Sequence, residues 1–259
     1  MHHELVLIEK EEKVTTLTLN NPPLNALSKE IIEELDQFIH DVLAEKDCRC
    51  LVITGHGEKA FASGADIREL ETFDENTGTA TVNRAKDVFG KLRSCAFPTI
   101  AAINSHALGG GLELALHCDF RVAAENARLG LPEINLGVLP GAGGTQLLPQ
   151  LIGLSRARWM IMNGEVIEAN AAYQIGLVDR VVKVDELLGE TSKIAESLAK
   201  KPPLSCKAVK EALRARDELS FSDAMREESR LFGTLCATYD KKEGVQAFLE
   251  RRKVEFKGL

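Results

Sequence analysis

The 259-residue sequence has no long apolar run: stretches such as Thr99 to Ile103 and Ala107 to Leu116 fall far short of a bilayer and are broken by polar residues. No transmembrane helix is expected. The opening MHHELVLIEKEEKV lacks the apolar core of a secretory signal and the Arg/Ser-rich, acid-poor character of a transit peptide, so a cytoplasmic, most simply bacterial, setting is expected. Cysteine pairs are missing too. Cys48, Cys50, Cys95, Cys118, Cys206 and Cys236 are scattered, and the one close pair has a single intervening residue instead of the two of a redox or zinc motif, so reduced thiols are expected. The six histidines show no H-E-x-x-H spacing, and no G-x-S-x-G elbow occurs, which removes support for metal hydrolysis and serine hydrolysis. His106 and His117 read as structural. Basic patches are absent from a chain of net charge −7, which disfavours nucleic acid as a partner. Gly141 to Gln146 (GAGGTQ) lacks the third glycine of a dinucleotide fingerprint. Gly109-Gly110-Gly111 leads into Leu112-Glu113, not the lysine and hydroxyl of a phosphate loop.

What is present is a large apolar content, 44%, enough for one big core or a main domain with a smaller appendage. Leu5 to Ile8 and Val14 to Leu19 read as a hairpin about Glu11-Glu12, closed off by Asn20-Asn21-Pro22-Pro23. Ser28 caps a helix with Ile31/Ile32, Leu35, Phe38/Ile39 and Val42/Leu43 at helical spacing. Strands are expected at Cys50 to Thr54, Thr99 to Ile103, Phe120 to Ala123 and Leu177 to Val182. Helices are expected near Thr81 to Arg93, Thr145 to Ile152, Ser155 to Met162 and Glu168 to Ile175. Such alternation indicates an α/β core with parallel pairing. From about Asp185 the pattern turns wholly helical, with amphipathic runs from Leu204, Ser222 and Lys241.

Two glutamates twenty positions apart stand out. Glu113 lies inside an apolar run after three glycines (ALGGGLELA), and Glu133 directly follows Pro132 between apolar residues (LGLPEINLG). A carboxylate so placed needs a partner or a task. Gly64 and Ala65 in FASGADI keep a turn uncluttered before a helix start at Asp66 or Ile67. Like the glycines before Leu112, they let backbone N–H groups face a ligand, and two such donors converging on one carbonyl oxygen make an oxyanion hole.

Together FASGADI, ALGGGLELA, LPEINLGVLPGAGGTQ and the ending YDKKEGVQAFLERR resemble, in the same order, the enoyl-CoA hydratase (crotonase) family, over almost the whole chain from NPPLNALS onward. The resemblance implies a crotonase-like α/β spiral of ββα units over residues 1–195. A helical C-terminal segment, residues 196–259, serves trimerisation and completes the coenzyme A site, with assembly as a homotrimer or a hexamer of paired trimers. It places the catalytic carboxylates at Glu113 and Glu133 and the oxyanion donors at the backbone N–H of Ala65 and Gly110. Gly141 matches a glycine near the water and acyl chain. Ser63, Asp66 and Ile67 match the coenzyme A side, with Asn25, Ala26 and Leu27 nearby. Arg68 replaces the family's lysine after GADI, keeping the charge for phosphates with a different geometry. Phe232, Phe248 and Arg251 match positions that shape the adenine end across subunits.

The activity implied is reversible addition of water across the 2,3 double bond of a 2-enoyl-CoA. No cofactor is implied beyond the coenzyme A of the substrate, and neither a metal nor a membrane partner. Relatives that isomerise, cleave or dehalogenate often lack one glutamate of the pair, so the full pair favours hydration. A 3,2-enoyl-CoA isomerase using Glu133 alone, a hydratase of a branched substrate of the 3-methylglutaconyl-CoA type, and a scaffold subunit are the alternatives. An RNA-binding role, known in a relative with a lysine-rich helix, is disfavoured because Ser28 to Lys46 carries acids in excess over its two lysines.

Overall fold

The computed structural model describes residues 5–45 and 47–259, so Lys46, expected at the end of the first helix, lies outside the described residues. The chain opens with β1 (Val6–Glu11) and β2 (Val14–Leu19), an antiparallel hairpin in which Val6 faces Leu19 and Glu11 faces Val14. Helix α1 (Lys29–Ala44) follows, capped by the Ser28 hydroxyl, which accepts from the Ile31 N–H. It buries Ile31, Ile32, Leu35, Ile39 and Val42, while Leu43 stays partly exposed.

Two strands and a helix then recur three times. β3 (Cys50–Gly55) and β4 (Ala60–Ala62) lead to the short α2 (Ile67–Leu70) and long α3 (Glu75–Ser94). β5 (Thr99–Ile103) and β6 (His106–Leu108) lead to α4 (Gly110–Leu116). β7 (Phe120–Ala124) and β8 (Arg128–Gly130) lead to a 3-10 turn (Pro132–Leu136) and α5 (Gly144–Ile152). The first strand of each pair enters a six-stranded sheet of order β1-β2-β3-β5-β7-β10, parallel after the opening hairpin. The second enters a smaller sheet of order β4-β6-β8-β9. The chain is completed by α6 (Leu154–Asn163), β9 (Val166–Glu168), α7 (Ala169–Gln174), β10 (Arg180–Val182), α8 (Leu187–Ala199), α9 (Pro203–Glu218), α10 (Phe221–Cys236) and α11 (Tyr239–Glu250). The four-stranded sheet is absent from the sequence reading because three-residue strands show too little of a period of two. The strand expected from Leu177 is shorter, since Leu177 and Val178 are core residues of the bend after α7, not ladder residues.

The large sheet is covered on both faces. One side packs α1, α3 and α4 into the main core around Leu17, Ile53, Phe61, Phe89, Ile103 and Leu148. On the other, Leu187, Ala195 and Ala199 of α8 meet Val52, Ile100 and Val122. Covering on two faces explains why β3 and β5 are buried throughout and mostly apolar rather than alternating. α8 runs unbroken across residues 195 and 196, and α9 to α11 follow it. α9 is pinned back to the core by Lys210, whose ammonium donates to the carbonyls of Leu92 (3.1 Å) and Phe97 (3.0 Å) and to Asp119 Oδ2 (2.6 Å). Among the described residues no helix is long and apolar enough to cross a membrane, and all six cysteines are free thiols.

Candidate active site

Parallel register brings the sequence motifs together. In the small sheet Ala62 pairs with Ala107, Ala107 with Leu129 and Leu108 with Gly130, so the residues just beyond β4, β6 and β8 emerge side by side. These are Ser63-Gly64-Ala65, Gly109-Gly110 and Leu131-Pro132-Glu133. The Gly109 N–H donates to the Gly130 carbonyl at 2.9 Å, fixing the second segment against the third.

Helix α4 starts in this cluster. Gly111 has no room for a side chain, because a Cβ would collide with the Ala62 carbonyl, and so the helix lies directly on β4. The Gly110 N–H, in the first turn, has no intrahelical acceptor. A Cβ built on Gly110 would stand 3.8 Å from the Ala65 nitrogen, so the two predicted donors are neighbours. Among the described residues no backbone carbonyl accepts from the Ala65 N–H.

One turn into α4, Glu113 is buried at 2% exposure. Its Oε1 accepts from the Ala142 N–H at 2.8 Å and the Gly144 N–H at 2.7 Å. The GAGG turn opening α5 is thus a clamp on the carboxylate, a role the sequence reading missed because backbone donors leave no side-chain signature. Burial raises the Glu113 carboxyl above its ordinary range; the two N–H donors and the charge of Lys86 pull it back down. Glu133, at the start of the 3-10 turn, has its carboxyl over Gly109, where a Cβ would stand 2.9 Å from Oε1. Its Oε2 is buried with no hydrogen-bond partner among the described residues. Burial first, and the neighbouring Glu113 charge second, push Glu133 up to about 7. Among the described residues neither glutamate is consumed by an ion pair: Arg121 pairs with Asp179 and Arg128 with Glu168. His117 donates from Nδ1 to the Glu113 carbonyl at 2.9 Å, and burial lowers its basicity, so it is a neutral structural residue as expected.

The loop before α1 joins the same cluster through the Leu27 N–H, which donates to the Gly64 carbonyl at 2.8 Å. Ala26 is half-buried beside it, and Leu27 is buried. Asn25 is fully buried and its carboxamide is already engaged: it donates to the carbonyls of His56 (3.0 Å) and Ala60 (2.8 Å) and accepts from the Asn21 N–H. Its side chain holds the loop in place. Ser63 is half-buried, with its N–H donating to the Leu24 carbonyl at 3.1 Å. Asp66 caps α2 and pairs with the highly exposed Arg68, while Ile67 presents its side chain to solvent. Gly141 faces Val82 of α3. Phe232 on α10 and Phe248 on α11, with Arg251 at the end of α11, sit on elements that pack chiefly against α9 and each other. Both phenylalanines are solvent-exposed within the protomer.

Comparison with known proteins agrees with this geometry. The family model described as enoyl-CoA hydratase/isomerase matches residues 9–259. The chain belongs to the enoyl-CoA hydratase/isomerase family. Among its relatives is a crotonyl-CoA hydratase of Syntrophomonas wolfei, 41% identical over 99% of both chains. A short-chain-enoyl-CoA hydratase of Clostridium acetobutylicum is 39% identical over 96% of both. The crystal structure of an enoyl-CoA hydratase from Bacillus anthracis superposes with a TM-score of 0.95 at 38% identity, covering 99% of this chain and all of that one. The expected crotonase fold is therefore the observed one.

Proposed function

We propose that the protein is an enoyl-CoA hydratase, an enzyme of the hydro-lyase type that adds water reversibly across the 2,3 double bond of a 2-enoyl-CoA to give the 3-hydroxyacyl-CoA. The observation that carries the reading is the contrast between the two buried carboxyls. Glu113 is held by two N–H groups that favour its ionised form, while Glu133, with an unpartnered oxygen, keeps its proton to about 7. One base and one acid stand on the same cluster.

The thioester oxygen accepts from the Ala65 and Gly110 N–H groups, so charge gathers on that oxygen and C3 becomes electrophilic. Each such donor contributes roughly 3 kcal/mol to the transition state. Glu113 takes a proton from water as its oxygen bonds to C3, and Glu133 delivers a proton to C2. The reverse direction exchanges the two roles. Acid and base are both side chains of the protein, so no cofactor enters, and coenzyme A arrives with the substrate.

Ala26, Leu27, Ser63, Asp66, Ile67 and Arg68 line the coenzyme A side, Arg68 supplying positive charge for its phosphates. Gly141 borders the acyl chain. Phe232, Phe248 and Arg251 complete the adenine end of a neighbouring subunit's site in a homotrimer or a hexamer. Their exposure in the protomer, with that of Phe221 and Trp159, supports such an assembly. The names of the two bacterial relatives favour short acyl chains, with crotonyl-CoA the first substrate to assay; the enzyme works in the cytoplasm. Isomerisation by Glu133 alone leaves the Glu113 clamp without a purpose, and incubation with a 3-enoyl-CoA separates the two reactions.

The test is replacement of Glu113 or Glu133 by Gln with the enoyl-thioester absorbance followed. Loss of roughly 100- to 10,000-fold for each is expected. Near-normal hydration by both variants overturns the reading.

A further inference from the structure

Helix α3 carries four residues, Val82, Lys86, Phe89 and Arg93, at spacings of four, three and four, which place them on one helical face. Three of them have contacts that locate the face. Val82 walls off the Gly141 turn, where a Cβ would meet Val82 Cγ1 at 2.6 Å. The Phe89 ring meets His117 edge-on, centroids 5.7 Å apart. Arg93 lines the same cavity as His117 and pairs with Asp217 of α9. Lys86 lies between Val82 and Phe89, and therefore between the Gly141 turn and the base of α4. Side chains on a helix lean toward its N-terminus, which carries the Lys86 ammonium toward Gly141 and the Ala142 and Gly144 amides that clamp Glu113.

The charges of α3 divide by face. Arg84 and Lys91 reach across to Glu33 and Asp36 of α1, and Arg93 is taken by Asp217. Lys86 has no ion-pair partner among the described residues, in a chain with more acids than bases. Around Glu113, the packed elements α5, β4 and β5 carry no charged residue. β6 brings His106, bonded to the Ser105 hydroxyl, and the 3-10 turn brings the acid Glu133. His117 is neutral. Lys86 is the cation whose field reaches the Glu113 carboxylate, in the sense that favours ionisation.

We propose that Lys86 is a positioning residue of the hydration reaction: presented at the solvent edge of α3 beside Val82, its ammonium group favours the ionised Glu113 that takes the proton of water. The inference rests on the hydratase reading for its kinetic consequence, and on the contact of Val82 with the Gly141 turn together with the sign of the Lys86 charge for its effect on Glu113. Two carboxyls share a small dehydrated space, and the counter-charge that stabilises one negative charge there sits at the solvent edge, where it does not obstruct the acyl path.

The test compares wild type with Lys86→Met, Lys86→Glu and Lys86→Arg, all at an exposed position that tolerates substitution. The acid limb of kcat/KM for crotonyl-CoA is expected to move up by about half a pH unit in Lys86→Met, a threefold loss on that limb. It moves about twice as far in Lys86→Glu and returns in Lys86→Arg. Added potassium chloride should move the wild-type limb upward and leave that of Lys86→Met nearly still. Coincident limbs in wild type, Lys86→Met and Lys86→Glu would overturn the proposal. An infrared titration of the protonated carboxyl band, assigned by its loss in Glu113→Gln, reads the same shift without turnover. Failure of wild type to hydrate any enoyl-CoA would thus sink the reaction assignment, while an unmoved infrared titration would sink the role of Lys86.

Discussion

Gly109 lies directly under the carboxyl of Glu133: a Cβ at this position would stand 2.9 Å from Glu133 Oε1, and the backbone there has φ +53°. The Glu133 carboxyl and the turn that opens α4 are therefore close neighbours, with no room for a side chain between them. Displacing one displaces the other.

Gly109→Ala is expected to lower kcat by at least tenfold, because the methyl group pushes the Glu133 carboxyl off its seat, and to lose about 1–3 kcal/mol of stability from backbone strain. Gly57→Ala provides the comparison. Gly57 has φ +79° with nothing near its Cβ position, so that variant should lose stability while keeping its rate. Equal rates for the two variants would show that the Gly109 contact does not matter.

In the proposed mechanism hydration starts with Glu113 ionised and Glu133 protonated, and dehydration with the reverse, so both directions use an enzyme holding one proton on the pair. The kcat/KM profiles of the two directions should be the same bell, falling on the alkaline side near pH 7, where Glu133 gives up its proton. A hydration profile still flat well above pH 8 would contradict this.

Stability carries the same signature. Glu133 holds its proton to about 7 when folded and to 4.5 when exposed, so between those values the folded state binds more protons than the unfolded one. Stability contributed by this group is full below pH 4.5 and is lost as pH rises through 7, by about 3 kcal/mol in all. Glu133→Gln removes the effect. The variant should match wild type in denaturant unfolding near pH 4.5 and exceed it by about 2–3 kcal/mol at pH 8.

Lys210 holds α9 to the core through two carbonyls and Asp119, which also accepts from the Thr99 N–H and hydroxyl. Lys210→Met leaves Asp119 with its charge uncompensated. A loss of roughly 3 kcal/mol, read as a fall of several degrees in Tm, is expected. An unchanged Tm would show that Lys210 adds nothing to the docking of α9.

The large sheet was legible because β2 alternates and β3 and β5 are runs of apolar and threonine residues long enough to show their pattern, with β7 apolar apart from Arg121. α3 was read short: it begins at Glu75, where Asn76, Thr77, Gly78 and Thr79 are weak helix formers and the reciprocal bonds of Asp74 and Thr77 start the helix instead. Glu113 and Glu133 announced themselves as charges among apolar neighbours. The clamp of Ala142 and Gly144 did not, since any residue other than proline offers the same N–H and only the fold aims it. Asn25 read as part of the ligand side; its carboxamide is spent on holding the loop, which no spacing in the sequence reveals.

The clamp on Glu113 has a thermodynamic consequence for turnover. Glu113 Oε1 is bound by two amides from a turn 29 and 31 residues further along the chain. The rotational freedom of the side chain is surrendered when the chain folds, not when substrate arrives. Ordering this carboxylate then adds nothing to the entropy of activation of a reaction that uses it.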